Sequence, residues 1–102
     1  MNLLQDDWAE ELKADSNAII LDVRTEEEYN EAHIPNSILL DYYRGQDFID
    51  ELNELDRDKS YYVYCRTGNR SGQTCAIMNQ LGFENAYNLV GGIEQWEGEI
   101  ES

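Results

Sequence analysis

Cys65, Arg66, Thr67, Gly68, Asn69, Arg70 and Ser71 run without interruption, putting a thiol, two guanidinium groups, two hydroxyls and a glycine into one short segment. The chemistry such a set supports is nucleophilic attack by sulfur, because the thiolate and not the thiol is the reactive form. An ordinary cysteine titrates near about 8.5, and each unit of depression corresponds to about 1.4 kcal/mol of preferential stabilisation of the anion. Arg66, Arg70, the loop amides and the N-terminus of a following helix all favour the anion, so Cys65 is expected to be mostly ionised at pH 7. The competing reading is a small buried hydrophobe at a strand end, against which the flanking arginines and Gly68 weigh. Cys75 lies about one turn into the next helix beside an apolar stripe and suits core packing instead.

The loop needs a strand before it and a helix after it. Tyr61 to Tyr64 supplies a strand, and Thr74, Ile77, Met78 and Leu81 form the stripe of a helix beginning near Ser71 and ending before a left-handed Gly82. Upstream, Asp6 or Asp7 is placed to cap a helix with Trp8, Ala9 and Leu12 on one face, and Ala18 to Val23 reads as a buried strand. Thr25 and Glu28 have capping-box spacing for a short helix from Glu26 to Glu31, which Pro35 prevents from continuing. Ser37 to Leu40 is a second apolar run, and Phe48, Ile49, Leu52 and Leu55 mark another helix. Asn85 to Leu89 gives a last strand, Gly91-Gly92 a turn and Trp96 a core residue, while the acidic tail from Glu97 is expected to fray. Short, continuously apolar strands alternating with helices predict an α/β fold with a parallel sheet covered on both faces. Such sheets bind ligands at the carboxyl ends of their strands, where Cys65 and the Asp22-Val23-Arg24 segment both fall.

Composition removes several classes of function. A chain of 102 residues suits a single domain spanning residues 1–102. With 22 acidic against 7 basic residues and a net charge of -15, neither nucleic acid nor an anionic membrane surface is an expected partner. No apolar run approaches the roughly 18 residues of a spanning helix, and the start of the chain lacks a secretory pattern, so a cytoplasmic location is expected. Two cysteines ten apart and one histidine, His33, match neither a redox pair nor a zinc framework, so no metal and no cofactor is expected.

In order along the chain, Leu21-Asp22-Val23-Arg24, Glu28-Tyr29, His33-Ile34-Pro35, the loop Cys65 to Ser71, and Asn88-Leu89-Val90-Gly91-Gly92-Ile93 with Trp96 resemble the successive blocks of the rhodanese-like sulfurtransferases. The resemblance implies a five-stranded parallel sheet flanked by helices. It also gives loop length a meaning: Cys65 to Arg70 is six residues, as in sulfur-transferring members, whereas phosphatase-type relatives use a loop one residue longer. What it implies chemically is a cycle in which the Cys65 thiolate takes sulfur from thiosulfate or a related small sulfur-containing anion, and a thiol or cyanide removes it. The amides from Arg66 to Ser71 would hold the Cys65 persulfide, and Arg66 and Arg70 would hold the donor. Asp22 and Arg24 are expected to support neighbouring loops through an ion pair or backbone hydrogen bonds, and His33 to be a structural hydrogen-bonding residue. A persulfide carrier for a protein acceptor and a non-catalytic binding or regulatory module stand as alternatives. Two departures touch the turn around His33: Ala32 and Asn36 replace glycines of the common pattern, and Ala32 adopts a left-handed conformation only at a cost. The short N-terminus leaves only about Asn2 to Leu4 for a first strand, expected to be weak or at the sheet edge.

Overall fold

The structure, a computed structural model, describes residues 1–102. Its centre is a strand buried along its whole length, β4 (Ser60–Tyr64), in which Tyr61 and Val63 face one core while Tyr62 and Tyr64 face another. This period-two split of the run Tyr61 to Tyr64 is what a parallel sheet covered on both sides demands. The sheet contains β1 (Asn2–Leu3), β2 (Ala18–Asp22), β3 (Ile38–Leu39), β4 and β5 (Ala86–Leu89), all parallel, in the order β1-β5-β4-β2-β3. The short first strand is at the edge, as its length suggested.

One face is covered by α3 (Gln46–Glu54) and α4 (Asn69–Gln80), which bring Phe48, Leu52, Cys75 and Met78 against Leu21, Val23, Tyr61 and Val63. Cys75 is indeed core, and burial pushes its thiol up to about 12. The other face is covered by α1 (Gln5–Ala14) and α5 (Gly92–Gln95), where fully buried Trp8 meets Tyr62, Tyr64 and Trp96 edge-on at 5.8, 6.4 and 5.4 Å. Trp96 is only partly buried, packing against this core from outside. No helix is long and apolar enough to cross a membrane.

Topology fixes where a ligand site belongs. From β2 the chain passes through α2 (Glu26–Glu31) to the outer strand β3, whereas from β4 it passes through α4 to β5 on the opposite side. Neighbouring parallel strands whose connections diverge leave a crevice at their carboxyl ends. Asp22 ends β2 and Tyr64 ends β4, paired in register, so Cys65 emerges at that crevice.

Several local expectations change. The first helix is not capped by Asp6 or Asp7: Leu4 is the N-cap, with no side-chain cap, and both aspartates sit in the first turn, where they meet the positive end of the helix dipole. The helix after the loop starts two residues earlier than Ser71, at Asn69. Ala32 needs no left-handed conformation, since its φ of -166° is ordinary extended backbone; the left-handed residue is Asn36, at φ 70°. The tail from Glu97 is docked, not frayed, because Glu101 and His33 exchange backbone hydrogen bonds of 2.8 and 2.9 Å and Trp96 Nε1 donates to the Glu99 carbonyl at 3.0 Å. The expected box on α2 is present, with Glu28 N donating to Thr25 Oγ1 and Thr25 N donating to Glu28 Oε1.

Candidate active site

Gly68 makes the loop possible. Its φ of 100° lets the chain reverse directly from β4 into α4, and a side chain there would press on the Leu89 carbonyl at 3.2 Å. The reversal turns the backbone N–H groups inward onto Cys65, which is only 1% exposed. Gly68 N lies 3.1 Å from Cys65 Sγ, Ser71 N 3.4 Å, and the Ser71 hydroxyl 3.4 Å.

These contacts favour the anionic form of the sulfur. Burial alone would raise the Cys65 thiol, but the Ser71 hydroxyl and the amides of Ser71, Gly68 and Thr67 outweigh it, so its pKa falls below the ordinary thiol value. The anion is therefore held mainly by aligned N–H and O–H dipoles, a preorganised cradle of the oxyanion-hole kind.

The two loop arginines divide. Arg70 is committed to Glu28 of α2: its Nη1 donates to Oε1 at 2.9 Å and its Nη2 to Oε2 at 3.1 Å, while Tyr43 lies over its other side with 5.5 Å from ring centroid to guanidinium carbon. Its charge still acts on Cys65 through space. Arg66 is exposed and enters no ion pair, although its carbonyl accepts from Glu94 N at 3.0 Å. Thr67 and Asn69 are also exposed, and Asn69 Oδ1 accepts from Gln73 Nε2.

Asp22 and Arg24 are not gathered onto the sulfur but form a separate buried knot. The Arg24 guanidinium meets Asp22 at 2.7–3.1 Å and donates to the Ala32 carbonyl, while Tyr64 O–H donates to Asp22 Oδ2 at 2.6 Å. His33 is likewise engaged, its Nδ1 with the Tyr29 carbonyl at 2.8 Å and its ring stacked on Tyr29.

Three contributors escape the sequence reading. Glu28 was legible as a cap but not as the partner of Arg70, 42 residues away. Asn88 on β5 lies against Ser71 and Gly68, with Nδ2 donating to the Gly68 carbonyl at 3.2 Å. Gly92 lets the N-terminus of α5 close on the loop from behind, with Ile93 N donating to the Cys65 carbonyl at 3.0 Å. No cluster of three or more His, Cys, Asp or Glu side chains is placed to hold a metal ion.

A parallel α/β sheet whose central strand delivers a cysteine into a six-residue amide cradle defines a class of small thiol-centred domains. The family model of the rhodanese-like domain matches residues 5–99, and the chain belongs to that family. It is 37% identical over 92 residues to a putative sulfurtransferase, YtwF, of Bacillus subtilis, covering 90% of this chain and 85% of the relative. It is also 37% identical over 82 residues to the thiosulfate sulfurtransferase GlpE of Pseudomonas syringae, covering 80% and 74%. The crystal structure of a rhodanese-like domain protein from Staphylococcus aureus superposes with a TM-score of 0.81 at 32% identity, covering 99% of this chain and 98% of that one.

Proposed function

We propose that residues 1–102 act as one sulfur-transferring domain in which Cys65 is the carrier. The Cys65 thiolate attacks the outer sulfur of thiosulfate or a related sulfane-sulfur anion, forming a Cys65 S–S bond. The bond to the sulfonate breaks and its electron pair leaves with sulfite. In the second half-reaction an acceptor thiolate, or cyanide, attacks the outer sulfur and returns Cys65 as thiolate. No proton has to move to activate the nucleophile if it is already ionised. The cycle begins with a free thiol, which a reducing cytoplasm maintains.

The observation that carries this reading is the convergence of Gly68 N, Ser71 N and the Ser71 hydroxyl on Cys65 Sγ at 3.1–3.4 Å in a loop of the shorter length. Resemblance to named sulfurtransferases supports it. Arg66, exposed and unpaired, is the residue we assign to the incoming sulfonate, with Arg70 as a fixed background charge. Intact mass after incubation with thiosulfate tests the proposal: wild type and Cys75→Ser should each gain one sulfur and lose it to added cyanide, and Cys65→Ser should gain none. A wild-type protein that gains no sulfur would indicate a binding module. Loading from thiosulfate with release only to a protein thiol would indicate a dedicated carrier.

A further inference from the structure

Ser71 has one hydroxyl proton and two acceptors within reach, Cys65 Sγ at 3.4 Å and Asn88 Oδ1 on its other side. The orientation of Asn88 is not arbitrary. Its two N–H bonds are both used, one toward the Gly68 carbonyl at 3.2 Å and one toward Asn2 Oδ1 at 3.0 Å. A carbonyl cannot donate, so Nδ2 must face Gly68, and Oδ1 must then face Ser71. The bareness of Gly72 permits this approach, since a Cβ there would sit 3.3 Å from Asn88 Nδ2.

From this geometry we infer that Asn88 is a positioning residue that competes with Cys65 for the Ser71 proton, so that the hydroxyl swivels with the state of the sulfur. When Sγ is a neutral thiol, Ser71 donates to Asn88. When Sγ is a thiolate, the hydroxyl turns to the charge, and Asn88 Oδ1 gives up its bond. When Sγ carries an outer sulfur, the negative charge moves to that outer atom and the hydroxyl returns to Asn88. The proton stays on Ser71 throughout; only its direction changes. Asn88 thereby withholds part of the thiolate's stabilisation, which keeps the sulfur basic enough to attack and favours the loaded over the empty form.

Among titratable groups, Arg70 of α4 acts on Cys65 and is itself paired with Glu28 of α2, with Tyr43 against it. Toward Cys65, α5 contributes backbone, while β5 and β1 contribute the uncharged Asn88 and Asn2 to the Ser71 side.

The test is the pH midpoint of Cys65 alkylation by iodoacetamide, followed by intact mass in wild type, Asn88→Ala, Ser71→Ala and the double variant. Asn88→Ala should move the midpoint to lower pH by about half a unit, the scale of one shared hydrogen bond. In the Ser71→Ala background the same substitution should move it negligibly. Asn88→Leu, which fills similar space without an acceptor, should lower the midpoint likewise and serves if Asn88→Ala does not fold. An unchanged or raised midpoint in Asn88→Ala or Asn88→Leu, or an equal shift with and without Ser71, would overturn the inference. Its relevance to turnover rests on the sulfur-transfer reading, but alkylation needs neither donor nor acceptor. A protein that takes no sulfur from thiosulfate would sink that reading and leave this one measurable.

Discussion

Glu28 holds Arg70 with both carboxylate oxygens, at 2.9 and 3.1 Å, while the same carboxylate accepts the Thr25 amide at the start of α2. One side chain thus closes the capping box of a helix after β2 and fixes an arginine on the helix after β4. The crevice between the two strands is bridged by this pair, and the Arg70 charge reaches Cys65 only through space. Cys65 is left to amides and a hydroxyl, with Arg66 as the free cation of the loop.

Acid should reveal the strength of that bridge. The Arg70 guanidinium, against the opposing effect of burial, lowers Glu28 to about 2, from an ordinary value of 4.5. A carboxylate with a depressed folded-state pKa stabilises the fold above the unfolded value, and loses that contribution as pH falls from about 4.5 toward about 2. Glu28→Gln should cost about 1–2 kcal/mol at pH 7, as befits a partly buried pair, and the gap between the variant and wild type should narrow across that window. Urea midpoints against pH measure this. Parallel curves for the two proteins would show that Glu28 does not carry the pH dependence.

Gly92 predicts a sharper loss. At φ 60°, a Cβ would lie 2.6 Å from the Cys65 carbonyl oxygen and closer still to the Arg66 carbonyl, two backbone atoms that cannot step aside without moving the loop. Gly92→Ala should therefore destabilise the protein by about 3 kcal/mol or more and slow Cys65 alkylation even where the chain remains folded. Thermal melting and alkylation rate are the paired readouts. A variant with wild-type values in both would mean that α5 does not brace the loop.

The parts of this site that sequence revealed are those written in local spacing. Cys65 follows an uninterrupted apolar strand, Thr25 and Glu28 stand three apart, and Gly82 ends a stripe, so strand, cap and stop were all readable. The pairs that join separate elements left no such trace. Glu28 has a sufficient local reason to be where it is, which hid its second role, and Asn88 sits inside a short strand whose neighbours are apolar. Docking of the tail rests on backbone exchange between His33 and Glu101 and on contacts from Gln5 and Trp96, none of which local spacing announces. The arginines show the same limit: proximity in sequence set both beside the sulfur, but nothing local announced that Glu28 of another helix holds Arg70.

The Asp22–Arg24–Tyr64 knot should matter for stability more than for chemistry. Asp22 is fully buried and Arg24 5% exposed, and the Tyr64 hydroxyl also accepts from Ile34 N at 3.0 Å. Asp22→Ala leaves a buried guanidinium unpaired and should cost about 3–5 kcal/mol, whereas Tyr64→Phe strands a buried donor and acceptor for about 1–3 kcal/mol. KM for thiosulfate should be unchanged in Tyr64→Phe, and its melting temperature should fall. A raised KM at wild-type stability would place the knot in substrate binding.

Salt should act on this protein in an unusual direction. Most arginines are spoken for: Arg24 by Asp22, Arg44 by Asp47 and Glu51, Arg70 by Glu28. Against a net charge of -15, a dianionic donor approaches through a repulsive field, and only at short range does Arg66 attract it. Raising ionic strength screens the long-range repulsion more than the contact, so the second-order rate with thiosulfate should rise at moderate salt. Arg66→Gln should lower kcat/KM for thiosulfate about tenfold, as loss of one charge-assisted contact implies, while alkylation by neutral iodoacetamide changes little. A monotonic fall of the wild-type rate with salt would show that the local field of the loop outweighs the charge of the whole molecule. An Arg66→Gln variant with an unaltered rate would move donor binding to the amides alone.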